Sequence, residues 1–146
     1  VPAKGTFFYS PSTLKTMILA KDRTPEYEQM VSTVAQYLEN KGFEGIRAQA
    51  IDTYKDPAEL TRKDSQFSFT PDLTASINGS KHYFEIVDYP QKDQELIVSK
   101  WMLLSTLASH RDGHFSLIVP FGKMNFTKRI LKDYKIQADV IPAQTI

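Results

Sequence analysis

Cysteine is absent from the 146 residues, which excludes a disulfide scaffold, a zinc-thiolate site, an iron-sulfur cluster and a cysteine nucleophile. Long apolar runs are missing too, and none approaches the roughly 18 residues that a membrane span needs. Val1-Pro2-Ala3-Lys4-Gly5 lacks the charged-then-apolar order of a secretory signal, so the expectation is a soluble, cytoplasmic protein with no membrane partner. No Gly-x-Ser-x-Gly nucleophile elbow and no glycine-rich phosphate loop occurs, which disfavours serine-triad and nucleoside-triphosphate chemistry. An excess of one charge is lacking as well. A formal charge of +1 argues against coating of polyanions by the whole surface, although a basic patch can hide inside a balanced total. What remains is an ordinary globular composition, 41% hydrophobic, enough to bury one core and to predict a single domain over residues 1–146.

Residues 1–22 leave helix and strand open. Thr24-Pro25-Glu26 then supplies a capping hydroxyl, a proline at the first helical position and acids in the first turn. Tyr27, Met30, Val31, Val34, Tyr37 and Leu38 recur at three- and four-residue steps, predicting an amphipathic helix to about Lys41, with Gly42 as its cap. Residues 43–51 read as a strand, and 52–66 as a turn-rich loop around Asp56-Pro57. Residues 67–88 form two β-favouring runs around Asn78-Gly79, a hairpin signal. A second helix follows Tyr89-Pro90 and stops at Asp112-Gly113, with Trp101 and the leucines on its apolar face. Residues 115–120 are a short apolar strand, 124–135 a basic helix and 136–141 a closing strand. The order α, β, β, β, α, β, α, β predicts an α/β protein with a mixed central sheet flanked by helices.

The hairpin carries the chemistry. A two-residue turn at Asn78-Gly79 pairs Ile77 with Ser80, and stepping down the ladder brings Asp72 directly opposite Glu85, about 4.5 to 5.5 Å apart on one face. Thr74, Ser76 and Tyr83 share that face, read as the polar one, while Leu73, Ala75, Ile77, Phe84 and Ile86 occupy the face that meets a helix. Two like charges at that distance repel unless a cation lies between them or one is protonated. Carboxylates with water and a backbone carbonyl are hard ligands, which favours magnesium or manganese over zinc and would let the ion polarise a phosphate. The plainer alternative is a pair of solvated acids at a sheet end.

Thr70-Pro71-Asp72, the hairpin and Glu85-Ile86-Val87, framed by helix-strand units on both sides, resemble the PD-(D/E)xK nuclease superfamily with its restriction-endonuclease-like fold. The resemblance implies an αβββαβ core over residues 24–120, with a further C-terminal αβ unit beyond it. It implies metal binding by Asp72 and Glu85, and a lysine two residues after the second acid that positions or deprotonates the attacking water. Val87 stands where that lysine belongs. Some members of the superfamily move the lysine to another element, and others keep only the fold. Lys100, inside the apolar stripe of the second helix, is the favoured replacement, against the alternative that it reaches solvent along its methylenes. Lys92 is a second candidate, and Lys81 faces the right way but lies about 13 Å from Glu85 along the strand. Asp88 falls on the opposite face, and Glu28 and Glu39 read as parts of a solvated helix face.

Elsewhere, His110 and His114 have the spacing of helical metal ligands, but Gly113 breaks the helix between them. His82 reads as a core or edge histidine. Lys123, Lys128, Arg129, Lys132 and Lys135 against Asp133 give residues 121–135 a local excess of four positive charges, either a phosphate-binding face or a solvated one. Three functions follow: a magnesium- or manganese-dependent phosphodiesterase on nucleic acid, DNA foremost and with a homodimer as one option; a catalytically silent member of that fold that binds DNA or a protein; or an α/β binding protein without a nucleic-acid role. The first requires the acids to converge with an amine in reach, the second convergence without one. The third requires that they diverge or be neutralised by salt bridges.

Overall fold

The structure is a computed structural model that describes residues 21, 23–61, 68–89 and 93–146. Helix α1 (Pro25–Asn40) starts as its sequence dictates: Thr24 Oγ1 accepts from the Tyr27 N–H at 3.1 Å, Pro25 opens the first turn and Glu26 and Glu28 follow. It ends where Gly42, at φ +92°, lets the Phe43 N–H return to the Leu38 carbonyl at 3.0 Å. Strand β1 (Glu44–Ala48) is shorter than predicted. The 52–66 segment was expected to be a loop, yet β2 (Leu60–Thr61) pairs antiparallel with β3 (Ser68–Phe69) in a small separate sheet. Two-residue strands are too short to leave an alternation in sequence.

Strands β4 (Leu73–Ile77) and β5 (Ser80–Ile86) form the expected hairpin, with Asn78 at φ 52° and Gly79 at φ 78°. The register runs from Ile77 opposite Ser80 down to Leu73 opposite Phe84, the one that the turn predicts. Helix α2 (Gln94–His110) is capped by Asp93, which accepts from the Leu96 N–H at 3.2 Å. Strand β6 (His114–Val119), helix α3 (Met124–Asp133) and strand β7 (Asp139–Pro142) complete the order, followed by a 3-10 turn over Ala143–Thr145. The main sheet runs β1-β4-β5-β6-β7. The β1/β4 and β4/β5 pairs are antiparallel, and β5/β6 and β6/β7 parallel. The protein is therefore α/β with a mixed five-stranded sheet.

Helices cover both faces. On one, Tyr27, Val31, Val34 and Leu38 of α1 pack on Leu73, Ala75, Phe84, Ile86 and Ile118. On the other, Leu96, Ile97, Trp101 and Leu104 of α2 and Ile130 of α3 pack with Tyr83, Val87, Phe115 and Leu117. This corrects one expectation: the face read as polar is not left to solvent, since Thr74, Tyr83 and Glu85 are all buried. The alternation was right, but a polar side chain can line an interior when its partners are interior too, as for Glu85 with Lys100 and Tyr89, whereas Thr74 Oγ1 is buried without a hydrogen-bond partner among the described residues. Among the described residues, no helix is long and apolar enough to cross a membrane.

Candidate functional site

Asp72 sits one residue before β4, at the end of the hairpin where Pro71 stops the chain from pairing further. Gln49, just past β1, holds this turn. Its backbone N–H donates to the Asp72 carbonyl at 3.0 Å, and its side-chain amide donates to the carbonyls of Thr70 at 3.1 Å and Pro71 at 2.9 Å. Glu85 lies on β5, across the ladder. The Asp72 N–H donates to Glu85 Oε1 at 3.3 Å and the Ile86 N–H donates to Asp72 Oδ2 at 2.7 Å, which locks the two acids together. Asp72 is 1% exposed and Glu85 is fully buried, so the two acids converge but are not the solvated pair of the plainer alternative.

Two lysines meet them. Lys100 Nζ lies 2.8 Å from Glu85 Oε2, and at 5% exposed it does not reach solvent along its methylenes. Lys21, just ahead of α1, donates to Asp72 Oδ2 and to the Ile86 carbonyl, and its Nζ lies 3.6 Å from Glu85 Oε2. Two tyrosines complete the set: Tyr27 donates to Asp72 Oδ1, and Tyr89 donates to Glu85 Oε2 at 2.8 Å while accepting from Trp101 Nε1 at 2.8 Å. The Lys21 ammonium also stands 4.7 Å from the centre of the Tyr89 ring and 5.8 Å from that of Tyr27.

The electrostatics follow from this geometry. Burial alone would raise the Asp72 pKa, but the charges of Lys21 and Lys100 and the hydrogen bonds from Lys21 and Tyr27 outweigh it and hold the carboxyl below its usual range. Burial and the Asp72 charge push Glu85 upward against the two lysines, so Glu85 is the acid that takes a proton first. Burial opposes the charge on Lys21, and Asp72 and Glu85 overcome it to raise that pKa. Burial followed by the neighbouring carboxylates raises both Tyr27 and Tyr89. With both acids and both lysines ionised, the cluster is electrically neutral. Convergence with amines in reach is what the phosphodiesterase reading requires, and neutralisation by salt bridges is equally what the binding protein without a nucleic-acid role requires.

A divalent ion would find a suitable donor set here. Asp72 Oδ2, Glu85 Oε2 and the Ile86 carbonyl oxygen gather around one point and are all hard ligands. The point is held by Lys21 Nζ. Among the described residues no group of three or more histidines and acids is placed to hold a metal, and at this point they offer these three oxygens.

The other candidates stand apart, except that the Asp88 N–H donates to the Ile86 carbonyl at 2.9 Å and the Asp88 charge adds to the pull that raises the Lys21 pKa. Lys81 pairs with Ser76 towards the turn end of the hairpin, and Lys92 lies outside the described residues. Asp88 follows β5 and is exposed. Glu28 faces Arg23 at 3.3 Å, and Glu39 accepts from the Tyr54 hydroxyl at 2.6 Å. His110 ends α2 and His114 opens β6. The rings of His82 and His114 are centred 4.7 Å apart, and His114 Nδ1 lies 3.5 Å from Asp139 Oδ2. Lys128, Arg129, Lys132 and Lys135 are exposed on and just after α3.

Sequence reasoning missed Lys21, Tyr27 and Tyr89. Lys21 lay in the stretch without a readable pattern, and the Tyr27 stripe position signalled only a core contact. Tyr89 sits beside a proline in sequence and outside any helix or strand, where no periodicity operates. No family model, curated protein or solved structure matches this chain.

Proposed function

We propose that this protein is a restriction-endonuclease-like phosphodiesterase domain acting on nucleic acid, DNA foremost. In this reading Asp72 and Glu85 would hold a magnesium or manganese ion, and Lys100 takes over from the lysine missing at Val87. One observation carries the reading: Asp72 and Glu85 meet at facing hairpin positions beside the Ile86 carbonyl, with the Lys100 ammonium 2.8 Å from Glu85. When bound, such an ion supplies polarisation of a phosphate oxygen and acidification of a water. The chain supplies the rest. Lys100 and Tyr89 both donate to Glu85 Oε2, and Trp101 fixes the Tyr89 hydroxyl, so the carboxylate cannot rotate. Gln49 holds the Pro71-Asp72 turn in register with it. Lys123 follows β6 at the sheet end where β5 finishes one residue after Glu85, a suitable place for a phosphate contact.

A second reading has its own support. The silent domain was expected to lack an amine beside the acids, but both amines here are taken up in salt bridges, and a cluster this deeply buried and already neutral fits a domain that binds DNA or a protein partner without cleaving. Cleavage of supercoiled plasmid and of single-stranded DNA with magnesium or manganese separates the two. The phosphodiesterase reading expects metal-dependent cleavage that falls at least about 100-fold in Asp72→Asn and in Glu85→Gln, the range for loss of a group that acts in the transition state. Absence of cleavage at millimolar manganese, both by the intact chain and after Lys21→Ala frees the point that Lys21 Nζ holds, sinks it in favour of the silent domain.

A further inference from the structure

Lys21 is the least expected member of the cluster. Burying an ammonium costs several kcal/mol unless its charge and all its protons are met. An ammonium has three N–H donors, and three oxygens surround this one: Asp72 Oδ2, the Ile86 carbonyl oxygen and, at 3.6 Å, Glu85 Oε2. Its side chain is 5% exposed. Two tyrosine rings flank the same nitrogen. Lys21 and Tyr27 also line a cleft of about 350 Å³, which Asp56 and Glu59 border. The lysine thus separates the carboxylates from that cleft.

We propose that the Lys21 ammonium is the built-in cation of this cluster and competes with an exogenous divalent cation for the same three oxygens. The proposal rests on the carboxylate pair used for the proposed function, but it concerns what occupies the pair in the intact chain. Removing the ammonium leaves two carboxylates facing the single charge of Lys100, with a vacated path to the cleft. Such a site favours a small, hard divalent ion. In the intact chain, entry of that ion requires the Lys21 side chain to withdraw, and the cleft acids Asp56 and Glu59 offer it a new environment.

The test uses the full chain and its Lys21→Ala variant, with Lys21→Gln as a second variant of nearer size. Manganese binding is measured by calorimetry, and the melting temperature is followed against added manganese chloride. The expected result is at least tenfold tighter manganese binding by Lys21→Ala than by the intact chain. Its melting temperature rises with manganese, and adding Asp72→Asn abolishes both effects. If Lys21→Ala folds only when manganese is present, that is the same result in stronger form, and Lys21→Gln gives the affinity. Equal manganese affinity with and without Lys21 overturns the proposal, as does rescue of Lys21→Ala by propylammonium but not by manganese. The readout is independent of cleavage. A Lys21→Ala variant that gains manganese and still never cuts DNA sinks the phosphodiesterase reading alone. An intact chain that cuts, with no gain on removing Lys21, sinks this proposal alone.

Discussion

Glu85 has no solvent contact and accepts from Lys100, Tyr89 and the Asp72 N–H. A buried ion pair contributes little net stability over an apolar pair of the same shape, whereas removing one partner strands a charge. Lys100→Met is therefore expected to destabilise the protein by about 3 to 5 kcal/mol in urea unfolding. The double variant Glu85→Gln with Lys100→Met should lose less than the sum of the single changes, because no charge is left stranded. Additive losses would mean that the two side chains do not share one electrostatic unit. At this scale, the acids were legible because one turn fixes a register and the register fixes who faces whom. Lys100 was legible as an anomaly, a charge on an apolar stripe. Lys21 was not, since its contacts reach 51 and 65 residues along the chain and leave no local trace.

Gly113 shows how one element boundary can answer two demands. In sequence it is the stop signal of α2, and in the fold its N–H returns to the Ala108 carbonyl at 2.8 Å. A Cβ at this position would lie 1.9 Å from the Lys81 carbonyl oxygen of β5. Gly113→Ala should thus cost about 1 to 3 kcal/mol in urea unfolding, the range for overpacking. Ser109→Ala on the exposed side of the same helix should stay within about 0.5 kcal/mol. An equal effect of the two would show that the backbone shifts freely there. Elements with caps, such as α1 with Thr24 and Pro25, were readable from sequence because their signals are local. The β2/β3 ladder was not, because its pairing is set by what surrounds it and not by a pattern of its own.

Across the whole molecule, His82 links the edge aromatic Phe43 to His114 on the neighbouring strand. Burial first, and then the His114 charge, lower its pKa, against a smaller opposing pull from Asp139. The folded protein therefore binds a proton at His82 less readily than the unfolded chain does. The stabilising contribution is present above the unfolded value near about pH 6.5 and is lost as pH falls through the depressed folded value. Melting temperatures measured from pH 8 to pH 5 should fall less steeply for His82→Gln than for the intact chain. Parallel profiles would remove His82 from the acid response.

The arrangement of strands also bears on how copies of this chain can meet. Among the described residues β1 and β7 border the main sheet. Strand β7 runs for four residues and finishes on Pro142, which has no N–H to offer a further strand, while the β1 ladder is irregular between Glu44 and Arg47, where Gly45 sits at φ +60°. Short, bent borders of this kind are poor templates for sheet extension, so strand-to-strand aggregation through these two edges of the main sheet is discouraged by the same residues.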